Sequence, residues 1–377
     1  MSEAKPRCHI PAGGEFLLLP PTQQAFAYRN VDRMFATRPV TRGPTPRLLP
    51  RGPEVAPRYV VDGVEHGVDD YIDRACVSGI LAIKRGRIVL ERYALGLEEA
   101  TRWSTMSMVK SLTSTLIGAA LKDGAIASLD DKVSSYVPAV RGSAYDAVAV
   151  RDLLTMSSGV AWSEDYTDRH SHVNRYSQSL GDKVPGGVLA LLRELAPEHT
   201  PGSRFLYNTG DTYLLGCLLS AAVGTTIADY MTRRIWAPQG MEFDAFYTLE
   251  SEGGQEIGGS RAGMTLRDLG RFGLFLLEGG HGVLPEGWLA EASRPAFTLN
   301  PAENSFGATG YGYSWWLQDG VMAAVGFAGQ SLCLDPAEKL VVVTLSARPQ
   351  PPYAAAYTVD MKAERAAFHA ALTAALR

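Results

Sequence analysis

Ser107 and Lys110 stand three residues apart in Trp103-Ser104-Thr105-Met106-Ser107-Met108-Val109-Lys110-Ser111-Leu112. On a helix that spacing brings an amine within reach of an alcohol. A serine hydroxyl is a weak nucleophile until an adjacent base takes its proton. Lysine can be that base only when neutral, so its amine must titrate well below the ordinary value of about 10.4. Burial, a second cation and the positive end of a helix all act in that direction. By themselves the four residues read more simply as a capping serine followed by a surface lysine. Ser2-Glu3-Ala4-Lys5 shows the same spacing by chance, near a terminus rich in turn formers.

Two further features bear on the pair. Tyr207, in Phe205-Leu206-Tyr207-Asn208-Thr209-Gly210-Asp211, precedes an apolar helix. A tyrosine beside a Ser/Lys pair can relay a proton to a leaving group, provided neighbouring cations lower its pKa from about 10. The plainer reading is a tyrosine packed at a helix start. In Ala324-Val325-Gly326-Phe327-Ala328-Gly329-Gln330 a strand is bracketed by glycines, which let backbone approach a ligand and aim an N–H at a developing oxyanion. An ordinary strand with a bulge is the alternative. His170 and His172 lack carboxylates or cysteines at ligand spacing, so they are expected to be solvated loop residues, and no metal is called for.

The elements that must position these residues follow from periodicity. Val109, Leu112, Leu116, Ile117, Ala120 and Leu121 form a helical apolar stripe stopped at Gly124, with Ser104 or Thr105 as N-cap. Residues 1–57, dense in Pro, Gly and Arg, read as an extended arm. Val77–Ile83 and Ile88–Tyr93 flank Lys84-Arg85-Gly86-Arg87 as a β-hairpin. Short helices are expected over 152–159, 187–193 and 211–223, with 160–186 polar and irregular. Beyond 255 come a helix over 265–277, strands at 312–317, 330–334 and 340–345, and a terminal helix over 360–377. Strands at both ends with helices between predict an α/β (α+β) fold. In it an antiparallel sheet from 58–100 and 246–377 is flanked by helices, and 101–245 forms an all-helical insertion lobe carrying the nucleophile.

Composition sets the frame. The chain has 377 residues, 46% hydrophobic and 20% charged, with a formal net charge of −4. That is the profile of a globular protein, with no reason to expect nucleic acid or an anionic membrane as partner. Cys8, Cys76, Cys217 and Cys333 are widely spaced, and the N-terminus lacks a basic start followed by an apolar run. Both point to the cytoplasm. A homodimer is left open. G-x-S-x-G, H-E-x-x-H, Walker and strand-linked G-x-G-x-x-G motifs are absent, and no cofactor is implied.

Taken together, the order and spacing of these segments resemble the serine β-lactamase and penicillin-binding superfamily, in which Ser-x-x-Lys carries the nucleophile. The similarity is to the class C-like branch, with the family VIII carboxylesterases and 6-aminohexanoate-dimer hydrolases. It runs from Gln24-Ala25-Phe26-Ala27 through Ser107-x-x-Lys110-Ser111, Leu153-Leu154-Thr155-Met156-Ser157-Ser158-Gly159 and Tyr207-Asn208-Thr209-Gly210-Asp211. It continues through Thr265-Leu266-Arg267-Asp268-Leu269 and Trp315-Trp316 to Gly326-Phe327-Ala328-Gly329-Gln330 and Leu334-Asp335-Pro336. The resemblance implies Ser107 as acylated nucleophile, Lys110 as general base and Tyr207 as proton relay, with the N–H groups of Ser107 and Phe327 as oxyanion hole. Glu164-Asp165-Tyr166-Thr167-Asp168 resembles the nylon-oligomer hydrolase loop whose tyrosine contacts the scissile amide, which makes Tyr166 a substrate-side candidate; Trp315, Trp316 and Gly326 are pocket candidates.

One departure separates this chain from penicillin enzymes. Where their third motif reads Lys-Thr-Gly, with a lysine for the β-lactam carboxylate, this sequence reads Ala324-Val325-Gly326. The expected activity is therefore hydrolysis of small carboxylic esters or linear amides. A β-lactamase, a D-Ala-D-Ala peptidase, an acyl transferase and a binding protein acylated without turnover are the alternatives.

Overall fold

The computed structural model describes residues 13–350 and 353–377. Cys8 and the Ser2–Lys5 match lie outside them, and Cys76, Cys217 and Cys333 are free thiols.

An eight-stranded sheet runs in the order Arg87–Tyr93, Val77–Lys84, Leu340–Ser346, Ser331–Asp335, Val321–Val325, Trp316–Gln318, Gly310–Tyr311, Phe297–Thr298. Every neighbouring pair is antiparallel. The central strands Val77–Lys84 and Leu340–Ser346 are buried along their whole length because both faces are covered, and successive side chains serve opposite cores. Leu81, Ile83, Val341, Val343 and Leu345 face the main core, against the Leu266–Leu277 helix and the helical half of the molecule. Ile80, Ala82, Leu340 and Val342 face a second core built with Tyr71, Phe368 and Leu372. The terminal helix Met361–Ala375 closes that side, its Phe368 stacked on Tyr71 with ring centroids 3.9 Å apart.

The helix carrying the candidate nucleophile lies at the centre of the molecule. From Val109 to Ala120 every residue is buried, so the apolar stripe seen in sequence is only part of its contact surface. Its polar residues avoid the cost of dry burial by bonding to backbone carbonyls on both sides. Ser111 and Ser114 donate to Ser314 O (2.6 Å) and Tyr313 O (2.7 Å), and Thr113 donates to Gly258 O (2.7 Å). These bonds lock the helix between the turn before Trp316–Gln318 and the Gly258–Gly259 segment.

Four local expectations need correction. The N-terminal region is not simply an extended arm: it contains the Pro21–Tyr28 helix and the strand Thr37–Val40. That strand pairs with Ala245–Thr248 in a small sheet that also holds Ala262–Met264 and Trp103–Ser104. The 160–186 stretch contains a helix, His172–Gly181, capped by Ser171 Oγ accepting from Asn174 N; its apolar residues Val173, Tyr176 and Leu180 fall on one face. Residues 312–317 are not one strand. Ser314 adopts a φ of 59° with its N–H bonded to Leu154 O (2.7 Å), and the chain reverses into the pair Gly310–Tyr311 and Trp316–Gln318. Finally, neither Ser104 nor Thr105 caps the central helix, which is entered through a 3-10 turn, Met106–Met108. Among the described residues no single helix is long and apolar enough to cross a membrane.

Candidate active site

Ser107 sits in the middle of that 3-10 turn, and Lys110 is the second residue of the helix that continues it. Met106, just before, has a φ of 48°. A bulky side chain in the left-handed region is a strained backbone held by its surroundings. Thr105 Oγ1 supplies part of that hold by accepting from Ala262 N at 3.1 Å.

Lys110 Nζ lies 3.1 Å from Ser107 Oγ and 3.2 Å from Thr209 Oγ1, and it also donates to Gly259 O. The amine is 2% exposed, and burial lowers its pKa from 10.5 to about 8, with the Glu164 charge pulling the other way. The partners decide how a neutral amine must orient. Gly259 O can only accept. Thr209 spends its own proton on Glu164 Oε1 (2.6 Å), so toward Lys110 it too can only accept. A neutral amine has two N–H bonds, and these two acceptors use both. Its lone pair is left facing the Ser107 hydroxyl.

Thr209, Glu164 and Gly259 were not marked as functional by their residue types or spacing. Thr209 falls inside the Tyr207-Asn208-Thr209-Gly210 segment and Glu164 opens the Glu164–Asp168 loop, which are the hints the sequence offers; their roles, and Gly259 altogether, become informative only in three dimensions. Glu164 accepts from Tyr166 OH at 2.8 Å and from Trp162 Nε1 as well as from Thr209. Gly259 must be glycine because a Cβ there would lie 2.9 Å from Thr212 Oγ1 and 3.0 Å from Thr209 O.

Tyr207 is presented by the loop before the Thr209–Val223 helix, whose N-terminus is fixed by Asn208 Oδ1 accepting from Asp211 N at 3.2 Å. Its ring centroid is 5.1 Å from Lys110 Nζ, and Ser107 lies near enough to its hydroxyl to act on its pKa. Trp316 stacks on the opposite side at 5.5 Å and 26°. The expected lowering of the tyrosine pKa is not seen. Burial first, and the Glu164 charge second, raise it, so the phenol keeps its proton at neutral pH.

The remaining candidates divide. Tyr166 and Phe327 line the cavity beside Ser107, their rings 4.4 Å apart. The Phe327 N–H makes no hydrogen bond among the described residues. Trp315 is 1% exposed in the main core, turned away by the reversal at Ser314, and does not line that cavity. Gly326 does not line it either. It packs against the turn before the serine, where a Cβ would lie 2.9 Å from Thr105 O and 2.6 Å from Gln330 Oε1. Gln330 clamps this loop, accepting from Ala328 N (3.0 Å) and donating to Ser346 O (3.0 Å). Gly326→Val is therefore expected to push the Phe327 loop off the serine turn. A displacement near 1 Å costs roughly 100-fold in kcat, measurable with any turned-over ester, and unchanged kcat would show that the loop's placement does not matter. His172 accepts from Ser163 N through Nδ1 (2.9 Å), which holds the start of the 160–186 segment.

Comparison with known proteins agrees with this geometry. The beta-lactamase family model matches residues 68–365. The 6-aminohexanoate-dimer hydrolase of Paenarthrobacter ureafaciens is 30% identical over 302 residues, 75% of this chain and 76% of that protein. A Bacillus anthracis protein described as a candidate 6-aminohexanoate-dimer hydrolase superposes with a TM-score of 0.83 at 20% identity, covering 98% of each chain. EstCE1, described as a hydrolase with promiscuous acyltransferase activity, superposes with a TM-score of 0.60 at 18% identity, over 80% of this chain and 96% of its own. With its Ser/Lys pair at the head of the central helix, this chain belongs to the beta-lactamase family of serine hydrolases.

Proposed function

We propose that this protein hydrolyses small carboxylic esters or linear amides through an acyl-enzyme on Ser107. The carrying observation is the orientation imposed on Lys110: both N–H bonds of its neutral form are spoken for by Thr209 and Gly259, and the lone pair meets the Ser107 hydroxyl. In the first half-reaction Lys110 takes the hydroxyl proton as Ser107 Oγ bonds to the substrate carbonyl carbon. The carbonyl oxygen, now negative, is received by the N–H groups of Ser107 and Phe327, an interaction worth about 3 kcal/mol for a well-placed donor. The C–O or C–N bond to the leaving group then breaks. Tyr207, kept as a phenol by burial, hands its proton to the departing oxygen or nitrogen and is reprotonated from the Lys110 ammonium. Water attacks the acyl-enzyme by the same route in reverse and regenerates the serine.

The substrate class is inferred from two facts. The Ala324-Val325-Gly326 segment lacks the lysine that receives the carboxylate of a β-lactam. The relative at 30% identity is named for a linear amide dimer. Turnover of p-nitrophenyl butyrate or a linear amide should therefore exceed that of a chromogenic cephalosporin, and a fluorophosphonate should label Ser107. Labelling elsewhere, or faster cephalosporin turnover, would overturn the reading.

The pH profile follows from Lys110. Only the neutral amine can accept the proton, so below its pKa of about 8 kcat/KM should fall about tenfold per pH unit. Above it the profile should level, with no descending limb from Tyr207 before about pH 10, because that phenol titrates higher than usual. An optimum below pH 7 would contradict a lysine base.

A further inference from the structure

The cavity beside Ser107 has a charged wall that the chemistry above does not use. Arg261, one residue past Ser260 at the start of the Ala262–Met264 strand, lines the cavity with Ser107, Tyr166 and Tyr176 and is 2% exposed. Its Nε and Nη1 have no hydrogen-bond partner, and no carboxylate pairs with it among the described residues. A dry guanidinium with idle donors is costly and ordinarily finds an anion.

Two aromatic rings hold it instead. Phe16 and Phe35 lie 5.0 Å and 4.2 Å from its Cζ, both on one side of the group with their own centroids 5.5 Å apart, and leave Nε and Nη1 uncommitted. Cation–π contacts of this kind hold the charge in place without satisfying its donors. Burial lowers the pKa only to about 10, so the group stays cationic at neutral pH. The other basic group beside Ser107, Lys110, is the proton acceptor and must be neutral to act. Arg261 is thus a permanent positive charge beside Ser107, the one cation lining this cavity among the described residues.

We propose that Arg261 is an anion subsite that selects substrates bearing a free carboxylate a few atoms from the scissile carbonyl. This rests on the hydrolase reading above and narrows its substrate class. The cation missing at 324–326 is replaced, in effect, by one contributed by a different element. A carboxylate accepts charge-assisted hydrogen bonds from a guanidinium, so it is the kind of group that would satisfy the idle Nε and Nη1 donors.

The test compares p-nitrophenyl monoesters of succinate, glutarate and adipate with neutral acyl esters of equal length. A second set carries the carboxylate on the leaving group, free or methylated. In the wild type the carboxylated member of at least one set should show kcat/KM higher by about 10- to 100-fold, mostly through KM. In Arg261→Gln that ratio should fall to near one, and Arg261→Lys should retain part of it. A ratio near one in both sets for the wild type, or a ratio that survives Arg261→Gln, overturns the proposal.

Because Phe16 and Phe35 pack on this side chain, the glutamine variant could fail to fold. Competitive inhibition of the wild type by glutarate, absent with glutaramide, then decides the matter, and equal effects of the two overturn the inference. Neutral esters turned over without any carboxylate preference would sink this subsite and leave the hydrolase reading standing. If no ester acylates Ser107 the hydrolase reading fails, and a glutarate-dependent rise in Tm of the wild type, lost in Arg261→Gln and reduced in Arg261→Lys, still judges the subsite.

Discussion

Ser107→Ala is expected to lower kcat/KM toward p-nitrophenyl butyrate by at least about 10⁴-fold while leaving Tm within a few degrees of wild type. The argument is geometric. Ser107 Oγ is the alcohol 3.1 Å from the buried amine, and its replacement removes the atom that would carry the acyl group. Structural cost should be small, since the side chain is half-buried in a 3-10 turn whose shape is held by Thr105 and Met106. The residual rate, from binding and the N–H groups around the carbonyl, should show no burst of p-nitrophenol. A variant retaining even a tenth of the activity would mean that another nucleophile, or a water, does the chemistry.

Lys110→Met and Lys110→Arg should each cost roughly 10²- to 10⁴-fold in kcat, and the pair together separates charge from basicity. Methionine removes both the lone pair and the donors. Arginine keeps a cation and several donors in a similar volume, but its guanidinium does not lose a proton at any working pH. If Lys110 acts as base, arginine is as poor as methionine; if it acts only as a fixed cation, arginine rescues. Non-additivity gives a further check: in Ser107→Ala/Lys110→Met the loss should be no greater than in Ser107→Ala alone, because the two residues act in one step. The remaining esterase activity of Lys110→Met should also lose the dependence on a group of pKa about 8.

Much of the site was legible from residue types and order, and the reasons differ from residue to residue. Ser107 and Lys110 could be paired because a helical turn fixes their separation whatever surrounds it. Tyr207 and the 324–330 segment entered only through their order along the chain, since nothing local says that a tyrosine a hundred residues on will cover a serine. Residues 326–330 are not the strand their glycines suggested but a turn between Val321–Val325 and Ser331–Asp335. Trp316 meets Tyr207 while its neighbour Trp315 is sealed in the core, a distinction made by the turn at Ser314. The helix at 172–181 was missed because its apolar residues are few and set among polar ones, and its stability comes from docking rather than from pattern.

The amino-acid order by itself determined the mixed α/β class, the main strands at both ends of the chain and the body of the central helix, because these depend on periodicity and on contacts within a few residues. Tertiary structure alone decided the protonation chemistry. Whether Lys110 is a base depends on its dry surroundings and on where two acceptors stand, Thr209 in one segment and Gly259 in another, with Glu164 of a third orienting the threonine. Desolvation and hydrogen-bond direction are properties of the space around an atom, and that space is assembled from parts of the chain that no spacing rule connects.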